Sequence, residues 1–281
     1  GAPMSYAESV RRLSRGKYGF DGQFLHETGV LALLGAVLLV YLLYPFLAFF
    51  NFSGQLSASA FLDPAVLDAV KYSLLSAPVS TALATIFGVP LAYVLARATF
   101  PGKVIVDALI VLPLVMPPVV GGVMLLSGFG QFTPLGSFAS SLGLPLTDSY
   151  LGIVLAQTFV ASPFVVITSR SGFAAVDREI EQAARSLGKG PIETFRLVSL
   201  PLARGSILAG VVLTFARAMG EFGATMMTAY HPTTMPTQIW VTFISEGITA
   251  TAPLVIVLLA LGFLVVLALQ LAGKRVALAS E

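Results

Sequence analysis

The chain has 281 residues, of which 56% are hydrophobic and only 11% are charged. Ordinary soluble domains carry roughly 45–50% apolar and about 25% charged residues, so the composition argues against a water-soluble fold. No charged residue occurs between Asp107 and Asp148 or between Glu246 and Lys274, and stretches of that length can be solvated by lipid. Cysteine is absent, which excludes disulfides and thiolate metal sites. The formal charge of +2 matters less than where the charges fall.

Six apolar segments are long enough to cross a bilayer. A helix rises 1.5 Å per residue and needs about 20 residues to cross the hydrocarbon core. The predicted spans are Val30–Phe50, Tyr72–Ala96, Ala108–Ser127, Ser149–Ser169, Gly205–Tyr230 and Ile248–Ala272. Several contain proline, which membrane helices tolerate because neighbouring helices satisfy the freed carbonyls. The expected fold class is therefore an all-α integral membrane protein of about six helices, some of them kinked.

The basic residues predict the orientation of these spans. Fourteen of the sixteen Lys and Arg residues lie at the two termini or in the connections 97–104 and 170–204, and the exceptions are Lys71 and Arg217. Because Lys and Arg accumulate in cytoplasmic loops, we predict that both termini are cytoplasmic. The expected parts are a cytoplasmic segment 1–28, a transmembrane domain 29–273 and a cytoplasmic tail 274–281. Residues 1–3 resemble a cloning remnant.

The long connection before the fifth span is patterned as two short helices. A helix is predicted over Arg178–Leu187, with Asp177 as its N-cap and Gly188 as a left-handed C-terminal cap. Its apolar stripe consists of Ile180, Ala183, Ala184 and Leu187. Pro191 then favours the first turn of a second helix through Ile192–Val198. Two such helices outside the membrane form a protrusion that another protein could bind.

The spacing within this connection is similar to that of a known family. Gln182-Ala183-Ala184, three residues, Gly188, nine residues, Val198, one residue and Leu200-Pro201 resembles the signature loop of binding-protein-dependent ABC importer permeases. That family has Glu where Gln182 stands, although Glu181 precedes it, and Ile where Val198 stands. The resemblance implies a type I ABC importer permease fold whose loop, 171–204 here, couples to ATPase subunits. The implied coupling residues are Glu181, Gln182, Ala183, Ala184, Gly188, Val198, Leu200 and Pro201.

The chain carries no phosphate-binding loop of the G-x-x-x-x-G-K-[ST] type, and Gly188-Lys189 lacks the upstream glycine and the following Ser or Thr. We therefore predict a transport subunit that is not itself an enzyme. The resemblance implies that ATP and Mg are used by a partner ATPase dimer. It also implies an extracytoplasmic binding protein and a second copy of the permease, giving a homodimer. His26 and His231 have no ligand residues at metal spacing, so no metal or other cofactor is expected on this chain, and no nucleic acid as partner.

A run in the fifth span indicates the substrate class. The segment Arg217–Thr225, RAMGEFGAT, resembles a run shared by permeases for tetrahedral oxyanions. Similarity at Phe100–Lys103, Leu112–Val120, Ala229–Pro232 and Ser245–Gly247 favours the molybdate/tungstate branch, with a sulfate permease as the alternative. An ion-coupled secondary transporter is a more distant alternative, because such proteins place several ionisable groups at the midplane. A membrane-embedded enzyme is disfavoured, since neither H-E-x-x-H nor a serine elbow is present.

Arg217 and Glu221 are the only charges predicted inside a span. If the fifth helix begins near Arg204, Arg217 lies about 20 Å along it, and the i, i+4 spacing places Glu221 on the same face. One interpretation is an internal ion pair that fixes helix packing, and the other is a pair that lines the translocation path or subunit interface. Gly220 and Gly223 would let a neighbouring helix or a second subunit approach closely, which we favour over direct contact with substrate.

Overall fold

The computed structural model describes residues 29–52 and 57–278, and every regular element within these ranges is helical. The twelve helices are α1 (Gly29–Phe52), α2 (Pro64–Arg97), α3 (Lys103–Val115), α4 (Pro118–Phe129), α5 (Pro134–Ser141), α6 (Tyr150–Ala175), α7 (Arg178–Ser186), α8 (Pro191–Leu202), α9 (Arg204–Met219), α10 (Gly223–Thr228), α11 (Met235–Glu246) and α12 (Ala252–Leu278). Short 3₁₀ turns cover Ala58–Leu62 and Ile248–Thr251, and α8 contains a π-helical turn at Phe195–Ser199. The segment predicted at 1–28, including His26, lies outside the described residues.

Helix α1 belongs to the first of two compact units, residues 1–55, and the remaining helices belong to the second, residues 56–281. It is 24 residues long, carries no charged side chain and contains Pro45. Its length is sufficient to cross a bilayer, as predicted for Val30–Phe50.

Helix α6 lies at the centre of the second unit, between α2 and α9. Most of the residues that α2 buries are small: Ala69, Ser73, Ser76, Ala77, Ser80, Ala84, Gly88 and Ala92. These residues let the helices approach closely, since a Cβ at Gly88 would lie 3.0 Å from Val165 Cγ1 on α6. Lipid provides little hydrophobic drive for helix association, so such close van der Waals contact between small residues stabilises the bundle.

Two hydrogen bonds between polar groups join helices inside the bundle. Ser80 Oγ donates to Gln157 Oε1 at 2.9 Å, which joins α2 to α6. Ser73 Oγ accepts from the Met235 N–H at 2.8 Å, which holds the start of α11 against α2. Because no water is available at this depth, these bonds replace the solvation that the groups would otherwise lose.

One end of the second unit carries the two helices of the long connection, and we call it the loop end. There α2 and α6 finish and α9 begins. Arg170 on α6 pairs with Asp107 on α3 through two contacts, Nη1 to Oδ1 at 2.7 Å and Nη2 to Oδ2 at 3.2 Å. Both side chains are partly exposed, so this pair is expected to contribute only a little to stability.

The count of membrane-crossing helices agrees with the prediction of about six, but two predicted spans are not continuous. By length and composition four described helices could cross a membrane, or six if two bent pairs each count as one span. The first pair is α3 with α4, bent by 117°, so the kinked span predicted over Ala108–Ser127 is divided between two separate helices. Met116 and Pro117 are extended, because a residue that precedes proline is disfavoured in the α conformation.

The predicted fifth span, Gly205–Tyr230, also ends early. Helix α9 stops at Met219, residues 220–222 are not helical, and α10 begins at Gly223. The second bent pair is α8 with α9, at 77°, where the connection joins the bundle. Helix α11 was not predicted at all, since its twelve residues fall in a stretch assigned to an outer loop.

Candidate functional site

The two interrupted helices of the bundle contact each other close to their interruptions. Helix α10, which follows the break in the fifth span, packs against α4, which follows the break in the third. A Cβ at Gly223 would lie 3.0 Å from Val119 N and 3.1 Å from Pro118 Cβ. We call this place the junction, formed by residues 116–122 and 217–224. Broken helices at membrane depth leave backbone groups free to meet a substrate, as in transporters built from discontinuous helices.

Glu221 is the polar centre of the junction. Its side chain is fully buried, and Oε1 accepts from the Ala224 N–H at 2.7 Å, which satisfies a free donor at the start of α10. Oε2 lies 2.6 Å from Arg217 Nη2, and the two groups form an ion pair without a well-aligned hydrogen bond. The predicted i, i+4 contact is therefore present, and Glu221 additionally caps the broken helix.

Arg217 is not enclosed by the chain. Helix α9 begins at Arg204, so Arg217 lies about 20 Å along it at 1.5 Å per residue. Its side chain nevertheless remains 27% exposed, while the carboxylate beside it is 0% exposed. A guanidinium at that depth is costly against lipid and normally faces protein or water. The side chain of Arg217 is therefore available to a group outside this chain.

The glycines of the junction differ in their surroundings. Gly223 is tightly packed against α4 within the same chain, as described above, whereas a Cβ at Gly220 would approach only Ala216 O, at 3.6 Å. The tightest contact is at Gly122, which was not singled out from the sequence: a Cβ there would lie 2.6 Å from Met227 Cβ and 2.9 Å from Ala224 O. Gly122 thus fixes the distance between α4 and α10.

Gly122→Ala is expected to lower the free energy of unfolding by about 1–3 kcal/mol, because the added methyl group must push α10 away from α4. Gly128→Ala is the matched control, since it lies on the same helix with nothing within 4 Å of its Cβ position. Thermal unfolding of both purified variants in one detergent measures the difference. Equal midpoints for the two variants would contradict the close packing.

The two-helix connection has the local structure expected from its sequence. Asp177 caps α7 by accepting from the Glu179 N–H at 2.9 Å, and Gly188 has a φ of +87° after the helix ends. Pro191 occupies the first turn of α8. The left-handed conformation at Gly188 turns the chain between the two helices, and only glycine adopts it without strain.

Arg97, the last residue of α2, holds this connection to the bundle. Its Nε donates to Glu181 Oε2 and its Nη2 to Glu181 Oε1, both at 2.9 Å, while Nη2 also donates to Val176 O at 3.0 Å. Ser199 Oγ donates to the same carboxylate. The Glu181 side chain is only 8% exposed and that of Arg97 14%. This bidentate contact between Arg97 and Glu181 sets the orientation of α7 relative to the end of α2.

The contact fixes the charge of Glu181. Burial raises the pKa of its carboxyl, but the hydrogen bonds from Arg97 and Ser199 and the charges of Arg97 and Arg185 outweigh that effect and lower the pKa below its usual value. A carboxyl whose pKa is lowered in the folded state stabilises the fold above its unfolded pKa. That contribution is lost only as the pH falls through the lowered value, so the contact persists at neutral pH.

The apolar stripe of α7 points away from Arg97 and is exposed. Ile180 is 49% exposed and Leu187 is 85% exposed, and Ile192 on α8 is 81% exposed. Gln182, which stands at the family's Glu position, is also exposed, whereas the preceding Glu181 is buried. Ile180, Leu187 and Ile192 are therefore not covered by the described part of the chain, which is typical of a surface that binds another protein.

Comparison with known proteins assigns this architecture. Residues 88–278 match the model of the family described as binding-protein-dependent transport system inner membrane component. The chain belongs to this family. It is 47% identical over 261 residues to a protein named probable molybdenum ABC transporter permease from Haloferax volcanii, covering 90% of this chain and 94% of that one. It is also 37% identical over 241 residues to the molybdate/tungstate transport system permease WtpB of Pyrococcus abyssi, covering 84% and 92%.

Two solved structures share the fold. A bacterial alginate ABC transporter, determined with its alginate-bound periplasmic protein, is similar with a TM-score of 0.69 and 15% identity, covering 90% of this chain and 97% of that chain. The MetNI methionine ABC transporter is similar with a TM-score of 0.59 and 19% identity, covering 80% of this chain and all of that one. Both confirm the predicted importer permease fold, while identities this low say nothing about substrate.

Sequence reasoning missed Arg97 and Ser199, which hold Glu181, and Gly122 in the junction. Arg97 contacts Glu181 across 84 positions, and neither residue follows a local motif that would link them. The only available signal was that Arg97 ends a long apolar run just where the basic residues begin. His231 lies exposed beside the Tyr230 ring, with ring centroids 4.8 Å apart.

Proposed function

We propose that this chain is the membrane-spanning permease of an ATP-driven importer for molybdate or tungstate. The observation that carries the proposal is Arg217, whose guanidinium is partly exposed at the junction of broken helices, about 20 Å along α9. A cation at that place suits a tetrahedral dianion, and Glu221 beside it keeps the anion from binding too tightly to leave. The names of the relatives from Haloferax volcanii and Pyrococcus abyssi support molybdate and tungstate over sulfate.

The exposed side of Arg217 faces a second copy of the chain across the path. Ala216 on α9 and Gly220, which directly follows α9, are exposed as well and are small, so a second copy could approach closely. Two junctions facing each other would form a water-filled route that lipid cannot enter. In this arrangement Arg217 and Gly220 line the route or the subunit interface, while the buried Glu221 and Gly223 support them from within the chain.

The connection 171–204 is the docking element for the ATPase. Ile180, Leu187 and Ile192 present an exposed apolar surface, and Arg97 fixes the connection to α2. Movement of a bound ATPase would therefore be transmitted to the bundle rather than absorbed by a flexible loop. ATP and Mg belong to that partner. An extracytoplasmic binding protein delivers the anion to the opposite end.

Uptake by the reconstituted importer tests the substrate. The permease is placed in liposomes with its ATPase, the cognate binding protein is supplied on the opposite side from ATP, and labelled molybdate, tungstate and sulfate are compared. We expect ATP-dependent uptake of molybdate and tungstate that exceeds uptake of sulfate. The bare permease without ATPase is the control. A preference for sulfate would contradict the proposed substrate, and uptake without ATP would contradict the mechanism.

Labelling of single cysteines tests the orientation, which is inferred from the placement of fourteen of the sixteen basic residues. Ser140 and Ser186 are both exposed and lie in different connections, so Ser140→Cys and Ser186→Cys give two reporters in a chain without cysteine. An impermeant thiol reagent applied to intact cells is expected to label position 140 and not position 186. Permeabilised cells should label both. The reverse pattern would overturn the assignment of both termini to the cytoplasm.

A further inference from the structure

A second basic site lies at the loop end, apart from the junction. A cavity of about 210 Å³ opens between the end of α2 and α7. It is lined by Arg97, Arg178, Glu181, Gln182 and Arg185. Three guanidinium groups and one carboxylate give the lining a net charge of +2. This charge is unusual for a cavity of a chain whose charged residues make up only 11% of the sequence.

The carboxylate of Glu181, the negative group in this lining, already has hydrogen-bond donors. Glu181 accepts from Arg97 and from Ser199, and its lowered pKa keeps it ionised. Arg178 and Arg185, in contrast, form no ion pair with any residue in the described part of the chain, and neither guanidinium donates a hydrogen bond there. Two guanidinium groups beside one cavity therefore retain their full donor capacity, which suits an anion with several oxygen acceptors.

The cavity lies on the face of α7 opposite the apolar surface. Arg178, Glu181, Gln182 and Arg185 follow an i, i+3, i+4, i+7 pattern and share one face of the helix. Ile180, Ala183, Ala184 and Leu187 follow the same pattern about half a turn away. A protein bound to the apolar face would thus leave the cavity, which faces Arg97 and the bundle, accessible.

We propose that this cavity binds a tetrahedral oxyanion of the phosphate type, held between Arg178, Arg185 and Arg97. The charge of +2 matches a dianion, and guanidinium groups bind phosphate-type oxygens in pairs. The anion can be free in solution or be the phosphate headgroup of a lipid, since Arg97, which lines the cavity, is the last residue of the candidate membrane span α2. A bound anion would join Arg178 and Arg185 of α7 to Arg97 at the end of α2. The site is independent of the transport pathway proposed above.

Binding to the assembled permease–ATPase complex in detergent tests the site, without the binding protein and without ATP. Radiolabelled inorganic phosphate tests the free anion, and native mass spectrometry with phosphatidylglycerol or phosphatidylcholine tests the lipid. The double variant Arg178→Gln/Arg185→Gln removes two cavity charges. Arg196→Gln/Arg204→Gln is the matched control, because it removes two exposed charges of the same connection that do not line the cavity.

Saturable binding is expected for inorganic phosphate, for phosphatidylglycerol or for both, and the ligand that binds identifies the source. The cavity variant should bind that ligand roughly tenfold more weakly or worse, because hydrogen bonds to charged groups are lost, while the control pair keeps its affinity. Three results would overturn the proposal: no saturable binding of either ligand, an equal loss in the control pair, or binding to the permease alone that disappears in the assembled complex. Transport assays are not needed for any of these readouts.

Discussion

Arg217→Met alone is expected to prevent accumulation of folded permease, and Arg217→Met/Glu221→Gln is expected to restore it. The single change leaves the fully buried Glu221 carboxylate without its cation, and uncompensated buried charges cost about 3–5 kcal/mol. The double change removes both charges, while the amide oxygen that Glu221→Gln introduces can still accept from the Ala224 N–H. Yield after membrane extraction and thermal unfolding in detergent measure both variants.

Transport by the double variant then separates the two roles of the pair. If Arg217 meets the anion, the double variant should assemble with the ATPase but lose uptake of molybdate and tungstate. Normal uptake would show that the pair acts only in packing. The control is Arg170→Met/Asp107→Asn, which removes an ion pair that is partly exposed at the loop end. Exposed pairs contribute about 0–1 kcal/mol, so this control should fold and transport normally.

Gly188→Val is expected to uncouple ATP hydrolysis from transport. Gly188 has a φ of +87°, a conformation that costs a β-branched residue about 1–3 kcal/mol. The chain can relieve this strain only by turning differently after α7, which moves α8 and with it the exposed Ile192. We expect the variant either to co-purify poorly with the ATPase or to hydrolyse ATP without anion uptake.

Gly190→Val is the matched control for this experiment. Gly190 lies two residues further on, has an ordinary φ of −68° and has nothing within 4 Å of its Cβ position. The same side chain added there should disturb the connection much less. Co-purification with the ATPase and the ratio of ATP hydrolysed to anion imported are measured for both. Normal assembly and uptake in Gly188→Val would show that this turn does not carry the coupling.

The sequence by itself determined the class of the protein and the local structure of the connection. The apolar spans and the charge-free stretches required a membrane protein, because no soluble surface can be built from them. Asp177, Gly188 and Pro191 have the roles predicted for them, since helix caps and turns depend on residues within a few positions of each other. The spacing from Gln182 to Pro201 similarly identified the family, which the comparison confirmed.

Only the tertiary structure decided how the spans break and what holds the connection. Proline in the third span predicted a kink, but the 117° angle and the packing of α10 against α4 at Gly122 and Gly223 appear only in the folded structure. The cap that Glu221 provides follows from the separate break at 220–222 in the fifth span. Arg97 binds Glu181 across 84 positions, and pairing at such a distance is selected by the packed fold rather than by any local pattern. Long-range contacts are invisible to periodicity and capping rules, because those rules describe only a few neighbouring residues.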